Sequence, residues 1–201
     1  MGLFEKIFGD SKKELWTQIA QDIGGKYIDG GFWKPNTLIY KHNEWKISLD
    51  TYTIYSDYLI ITYTRMTSVF KNKNNLYFKI YRKGFFIDHP MGLFHGVVMS
   101  FELQNIIIGD QYFDKKYIVK GNDKGKIKRL LDSKLKTLID NQPGISIGIR
   151  DKAGWLEPSF PIGVNELYFE CMGVIKDKKE LLNLFELFSL LLSRLERIDS
   201  S

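Results

Sequence analysis

Residues 107–144 constrain the fold more than any other stretch. Gly109-Asp110 reads as a turn, Tyr117–Lys120 as a short strand, and Gly121-Asn122-Asp123 as a second turn. Asn122 or Asp123 is placed to cap the helix that follows. Ile127, Leu130, Leu131, Leu135, Leu138 and Ile139 recur at helical spacing, which predicts one amphipathic helix running to about Asn141. Pro143-Gly144 stops it, and Ile145, Ile147 and Ile149 then alternate as a strand. A turn, strand, helix and strand in succession belong to a sheet with helices packed on it.

The flanking sequence extends this pattern. Residues 3–8 place Leu3, Phe4, Ile7 and Phe8 on one side of a helical turn or two. Ser11-Lys-Lys-Glu14 is a capping-box sequence, predicting a helix over 12–23 with Leu15, Trp16, Ile19, Ala20 and Ile23 inward, ended by Gly24-Gly25. Residues 26–28, 37–42, 45–55, 58–66 and 76–82 read as strands of an antiparallel meander, rich in Thr, Tyr, Ile and Phe. Residues 97–103 read as one more strand, and 167–175 as the partner of the 145–149 strand. Asp177-Lys-Lys-Glu180 caps a last helix over 178–198, whose polar residues form only a narrow stripe. The fold class is therefore α+β: a largely antiparallel sheet with N-terminal, central and C-terminal helices packed on it.

A chain of 201 residues buries a core without disulfides or metal. It is read as one domain, or as two closely packed halves, 1–88 and 97–201. One cysteine, Cys171, leaves no intramolecular disulfide and fits a reducing cytoplasm. The longest apolar run, 181–192, is interrupted by Asn183, Glu186 and Ser189, short of a membrane span. Net charge is +5, and the tightest basic group is Lys124, Lys126, Lys128 and Arg129, read as a solvated helix face. That scatter of charge argues against nucleic acid, as does the lack of a Gly-aromatic-Gly-aromatic run among the strand tyrosines.

The segments Gly109-Asp-Gln-Tyr-Phe-Asp114 and Tyr117-Ile-Val-Lys-Gly-Asn-Asp123, with the leucine-rich helix after them, carry a resemblance. Here the chain resembles a family of uncharacterised bacterial proteins that share a domain of unknown function. The likeness covers roughly the second half of the chain. It implies a bacterial origin and a shared fold, and it transfers no catalytic residue.

Residues in catalytic or ligand-binding patterns are few. His42, His89 and His95 have no metal-ligand spacing and no neighbouring cysteine. Cys171 sits on the apolar face of a strand, where a thiol is inert. No nucleophile elbow and no phosphate-cradling glycine loop occurs. Asp110 and Asp114 read as turn-forming acids. No catalytic, cofactor or metal residue is assigned. The remaining pocket candidates are Asp88, His89, His95 and Trp155, in two long loops, 84–96 and 151–165.

The leading functional expectation is a non-enzymatic cytoplasmic interaction or binding module. Its partner would be another protein or a second copy, met through the apolar C-terminal helix. Two alternatives stand beside it. One is weak membrane-surface contact through residues 1–9. The other is a small-ligand binder or enzyme with a pocket under the two loops.

Overall fold

The computed structural model describes residues 3–31, 34–55, 60–84, 103–142, 144–152 and 159–198, with side chains from Lys12 onward. In chain order these form α1 (Leu3–Ile23), β1 (Lys26–Ile28), β2 (Thr37–His42), β3 (Trp45–Tyr55), β4 (Ile60–Lys71) and β5 (Phe78–Arg82). There follow β6 (Gln104–Asn105), α2 (Gln111–Lys116), β7 (Tyr117–Gly121), α3 (Lys124–Leu130) and α4 (Ser133–Asp140). The last elements are β8 (Ser146–Arg150), β9 (Val164–Met172) and α5 (Lys178–Ile198). The fold is α+β, as the sequence predicts.

The nine strands make one antiparallel sheet in the order β1-β2-β3-β4-β9-β8-β5-β7-β6. Its edge strands are short, three residues in β1 and two in β6, which leaves little open backbone at either margin. The meander ends at β4. The sequence reading carries it on into residues 76–82, but β5 lies between β8 and β7, with two strands between it and β4. Asn72 makes this departure possible. Its side chain accepts from the Leu76 amide, donates to the Leu76 carbonyl, and donates to the buried Asn165 at 2.8 Å. The turn over 72–76 is thereby tied to the start of β9 rather than free to form a hairpin.

Period-two alternation decides which face each strand buries. Leu49 on β3, Met66 on β4, Phe169 on β9, Ile147 on β8, Ile80 on β5 and Val119 on β7 all point to one side. There they share one cluster with Trp16 and Ile19 of α1, Phe113 of α2, Ile127 of α3, Leu135 of α4 and Phe188 of α5. All five helices therefore pack on one face of the sheet.

The last helix occupies the residues predicted, and Asp177 caps it by accepting from the Glu180 amide at 2.8 Å. Its wide apolar face is used inside the chain. Leu181, Leu184, Phe185, Leu187, Phe188, Leu191, Leu192 and Leu195 are buried among α1, α3, α4 and the sheet. Only Lys179, Glu186, Glu196 and Arg197 along it are exposed.

Three expectations change. Helix α1 begins at Leu3, so residues 3–8 and 12–23 are one helix rather than two pieces. Residues 111–116 form the short helix α2 where a turn is expected. The single helix expected up to Asn141 is two, because Leu131 leaves helical geometry at ψ 63° and Asp132 starts α4 by accepting from the Leu135 amide. Both halves face α5, so their apolar residues stay in one helical rhythm across the break. Residues 97–102 of the expected 97–103 strand lie outside the described residues.

Candidate functional site

The four pocket candidates, Asp88, His89, His95 and Trp155, lie outside the described residues. The stems of their loops are visible. β5 and β8 run antiparallel, with Lys79 opposite Gly148 and Tyr81 opposite Ser146. The chain therefore leaves β5 toward 84 at one end of this strand pair and leaves β8 toward 151 at the other. An isolated bridge between Lys152 and Ser159 closes the base of the second loop.

The remaining chemical candidates have structural partners. His42 shares a 3.2 Å hydrogen bond with the Ser193 hydroxyl and stacks on Trp45. Cys171 is buried, and burial pushes its thiol up to about 12, far from a reactive thiolate. Asp110 is the N-cap of α2, accepting from the Phe113 amide at 3.1 Å, and it pairs with Lys136. Asp114 accepts from the Ile108 and Gly109 amides at 2.9 and 2.8 Å. Both acids thus hold backbone, Asp110 as the cap of a helix where the sequence predicts a turn. Among the described residues no group of three or more His, Cys, Asp or Glu gathers as for a metal ion.

The sheet face turned away from the helices is polar. Across β3, β4, β9, β8 and β5 it presents Asp50, Arg65, Glu170, Glu166, Arg150 and Lys79. Arg65 grips Asp50 with two parallel bonds of 2.9 and 2.7 Å, and its guanidinium lies over the Tyr52 ring. Arg150 bonds Glu166 at 2.6 Å, approaches Glu170 at 3.9 Å, and covers the Tyr168 ring at 4.8 Å. Arg150, Glu166 and Glu170 are each under 10% exposed. Burial raises the Glu166 carboxyl above its ordinary range, against the pull of Arg150. Gly148 stands between Tyr168 and Lys79. A Cβ there would meet the Phe78 carbonyl oxygen at 2.5 Å and the Tyr168 ring at 3.3 Å. Within this row Arg65 is in contact with Asp50 and Arg150 with Glu166.

Burial pulls Lys79 down to about 8, with Glu170 opposing the shift and Lys120 adding to it. From pH 8 to about 10 the unfolded chain keeps this proton and the folded chain gives it up. The buried charge therefore weakens the fold below pH 8, and that cost is relieved as pH rises through this window. Denaturant titrations at pH 7, 8, 9 and 10 should show the rise in wild type and its absence in Lys79→Met. Equal slopes in the two proteins would contradict the assignment.

One part of the sheet stands clear of its neighbours. β2 pairs with β3 only as far as Leu49, and β9 pairs with β4 only from Tyr63 onward. Among the described residues, no other strand flanks 50–55 of β3 or 60–62 of β4. Residues 53–55 and 60–62 pair with each other as a two-stranded ribbon about 10 Å long by strand rise. Its base is braced by Tyr52 stacked on Tyr63 at 5.3 Å and by a 2.9 Å bond between the Thr53 and Thr62 hydroxyls. At its described end Tyr55 and Ile60 face each other in register, 75% and 73% exposed. The ribbon is not legible in the sequence, because period two reports which face a residue takes and not how far the neighbouring strands reach. No family model matches this chain, and no curated protein matches it.

Proposed function

We propose that the protein is a non-enzymatic interaction module of a bacterial cytoplasm, and that it grips a partner protein through the projecting end of the β3–β4 ribbon. The observation that carries this reading is the Tyr55–Ile60 pair, two large apolar side chains left in water at a two-stranded end of the sheet. Scattered apolar residues on a surface need no explanation, but a register pair at the end of a projecting ribbon is a compact, shaped contact. The polar face supports the same reading from the other side. Its charges are committed to one another, which suits a rigid platform better than a reaction centre. The apolar C-terminal helix, the first place the sequence suggests for a contact, has its apolar residues inside the chain.

The test is Tyr55→Ser/Ile60→Ser. Both side chains are exposed, so the unfolding free energy should stay within about 0.5 kcal/mol of wild type. A photo-crosslinker at Thr53 should capture a discrete complex in host cells, whether with another protein or a second copy. The double variant should lose that complex. Retention of the same crosslinks by the variant would overturn the reading.

A further inference from the structure

We infer a second contact surface, independent of the ribbon: the basic shoulder formed by α2 and α3, which fits the anionic headgroups of a membrane. Residues 103–142 hold nine Lys and Arg against five Asp, a net of +4 where the whole chain carries +5. The five acids do not neutralise the outside of this shoulder, because each is committed inside it. Asp110, Asp123 and Asp132 cap α2, α3 and α4 and pair with Lys136, Lys126 and Arg194. Asp114 holds two backbone amides, and Asp140 accepts from Lys116, Tyr112 and Tyr117.

Lys134 pairs with Glu186 and Lys120 lies on β7, so Lys115, Lys124, Lys128 and Arg129 remain on α2 and α3. All four are exposed, and none makes an ion pair or hydrogen bond among the described residues. Lys124 and Lys128 are one helical turn apart on α3 and so share a face. The Lys128 ammonium lies within 4 Å of the position a Cβ would take on Gly109, which brings α3 against the loop before α2. On that loop and helix stand Ile107 and Tyr112, 66% and 64% exposed. Lys115 follows Tyr112 by three residues on the same helix.

Free cations around an exposed isoleucine and tyrosine suit a lipid interface, where cations meet headgroups, tyrosine sits at their level and the aliphatic side chain enters the acyl boundary. A single-stranded nucleic acid asks for several stacking rings, and here the one ring is held by Asp140 through its hydroxyl. The shoulder lies by β7, four strand spacings from β4, or about 19 Å, so the ribbon and the shoulder do not overlap.

The experiment is co-sedimentation of the full chain with vesicles of phosphatidylcholine alone and with phosphatidylglycerol added to about a third, at low and high salt. Each lysine near such a surface multiplies binding about fivefold. Wild type should bind the anionic vesicles, release at high salt and ignore the neutral ones. Lys124→Glu/Lys128→Glu should lose about twentyfold or more, and Ile107→Ser a smaller share. Tyr55→Ser/Ile60→Ser should bind as wild type, which separates this surface from the ribbon. Binding that survives the double charge reversal, or that disappears on deleting residues 1–9 alone, would overturn the inference. So would binding to an RNA or an acidic polypeptide with no binding to anionic vesicles.

Discussion

Arg150→Ala should destabilise the protein by about 3–5 kcal/mol, the usual cost of leaving a buried charge without its partner. In a chain of this size that is a fall in unfolding midpoint of roughly 10 °C. The reason lies in what remains. Glu166 and Glu170 are under 10% exposed, and Arg150 is the cation that bonds the first and approaches the second. Without it Glu166 stands in a poorly solvated site, where burial already raises its carboxyl. A carboxyl with a raised folded-state pKa carries its full cost when ionised in both states. The cost lessens as pH falls through the folded value toward the unfolded one. The deficit of Arg150→Ala should therefore be largest at neutral pH and shrink toward about pH 4–5. Arg150→Met/Glu166→Met should recover most of it at neutral pH, because both charges leave together. Chemical denaturation followed by circular dichroism at pH 5 and 7 measures all of this. A loss below 1 kcal/mol that does not change with pH would mean that the pair is solvated.

Gly148→Val should cost at least about 3 kcal/mol, by overpacking with no room to relax. The added Cβ would meet the Phe78 carbonyl oxygen at 2.5 Å and the Lys79 Cα at 3.2 Å, both backbone atoms of β5. A flexible side chain moves aside, but these atoms belong to the ladder that pairs β5 with β8. Gly125→Ala gives the contrast. That glycine lies within α3, and its added methyl would make only an ordinary contact with Asp123 at 3.5 Å. It should stabilise by up to about 1 kcal/mol through helix propensity. If the two substitutions had the same effect, steric contact at Gly148 would not be the cause.

These variants probe features that differ in how far the sequence announces them. Helix α5 is legible to the residue because its cap, its apolar rhythm and its end are all local. β2 and β3 are legible for the same reason, their alternation flanking a two-residue turn with Asn43 at positive φ. The break at Leu131–Asp132 is hidden, because both short helices bury their apolar faces against the same α5 and keep one rhythm. The passage of β5 to the far side of β8 is hidden too, since it depends on a pairing between distant segments. The candidate surfaces follow the same division. The basic group of α3 is plain in the sequence, but the commitment of its acidic neighbours is not. That depends on Asp132 meeting Arg194, and on Asp140 meeting Lys116 and Tyr117, across gaps that no local pattern reports.

The placement of β9 beside β4 also bears on how the chain is born. Met66 pairs with Phe169, a partner about a hundred residues further along, so β4 lacks its inner neighbour until nearly the whole chain has been made. At 5–20 residues per second that interval lasts roughly 5–20 s, during which β1 to β4 wait as a meander open along one edge. Non-local pairing of this kind is also slow once the residues are present. The ribosome-bound protein thus passes through a stage in which its most adhesive backbone is uncovered, and a chaperone has time to meet it there.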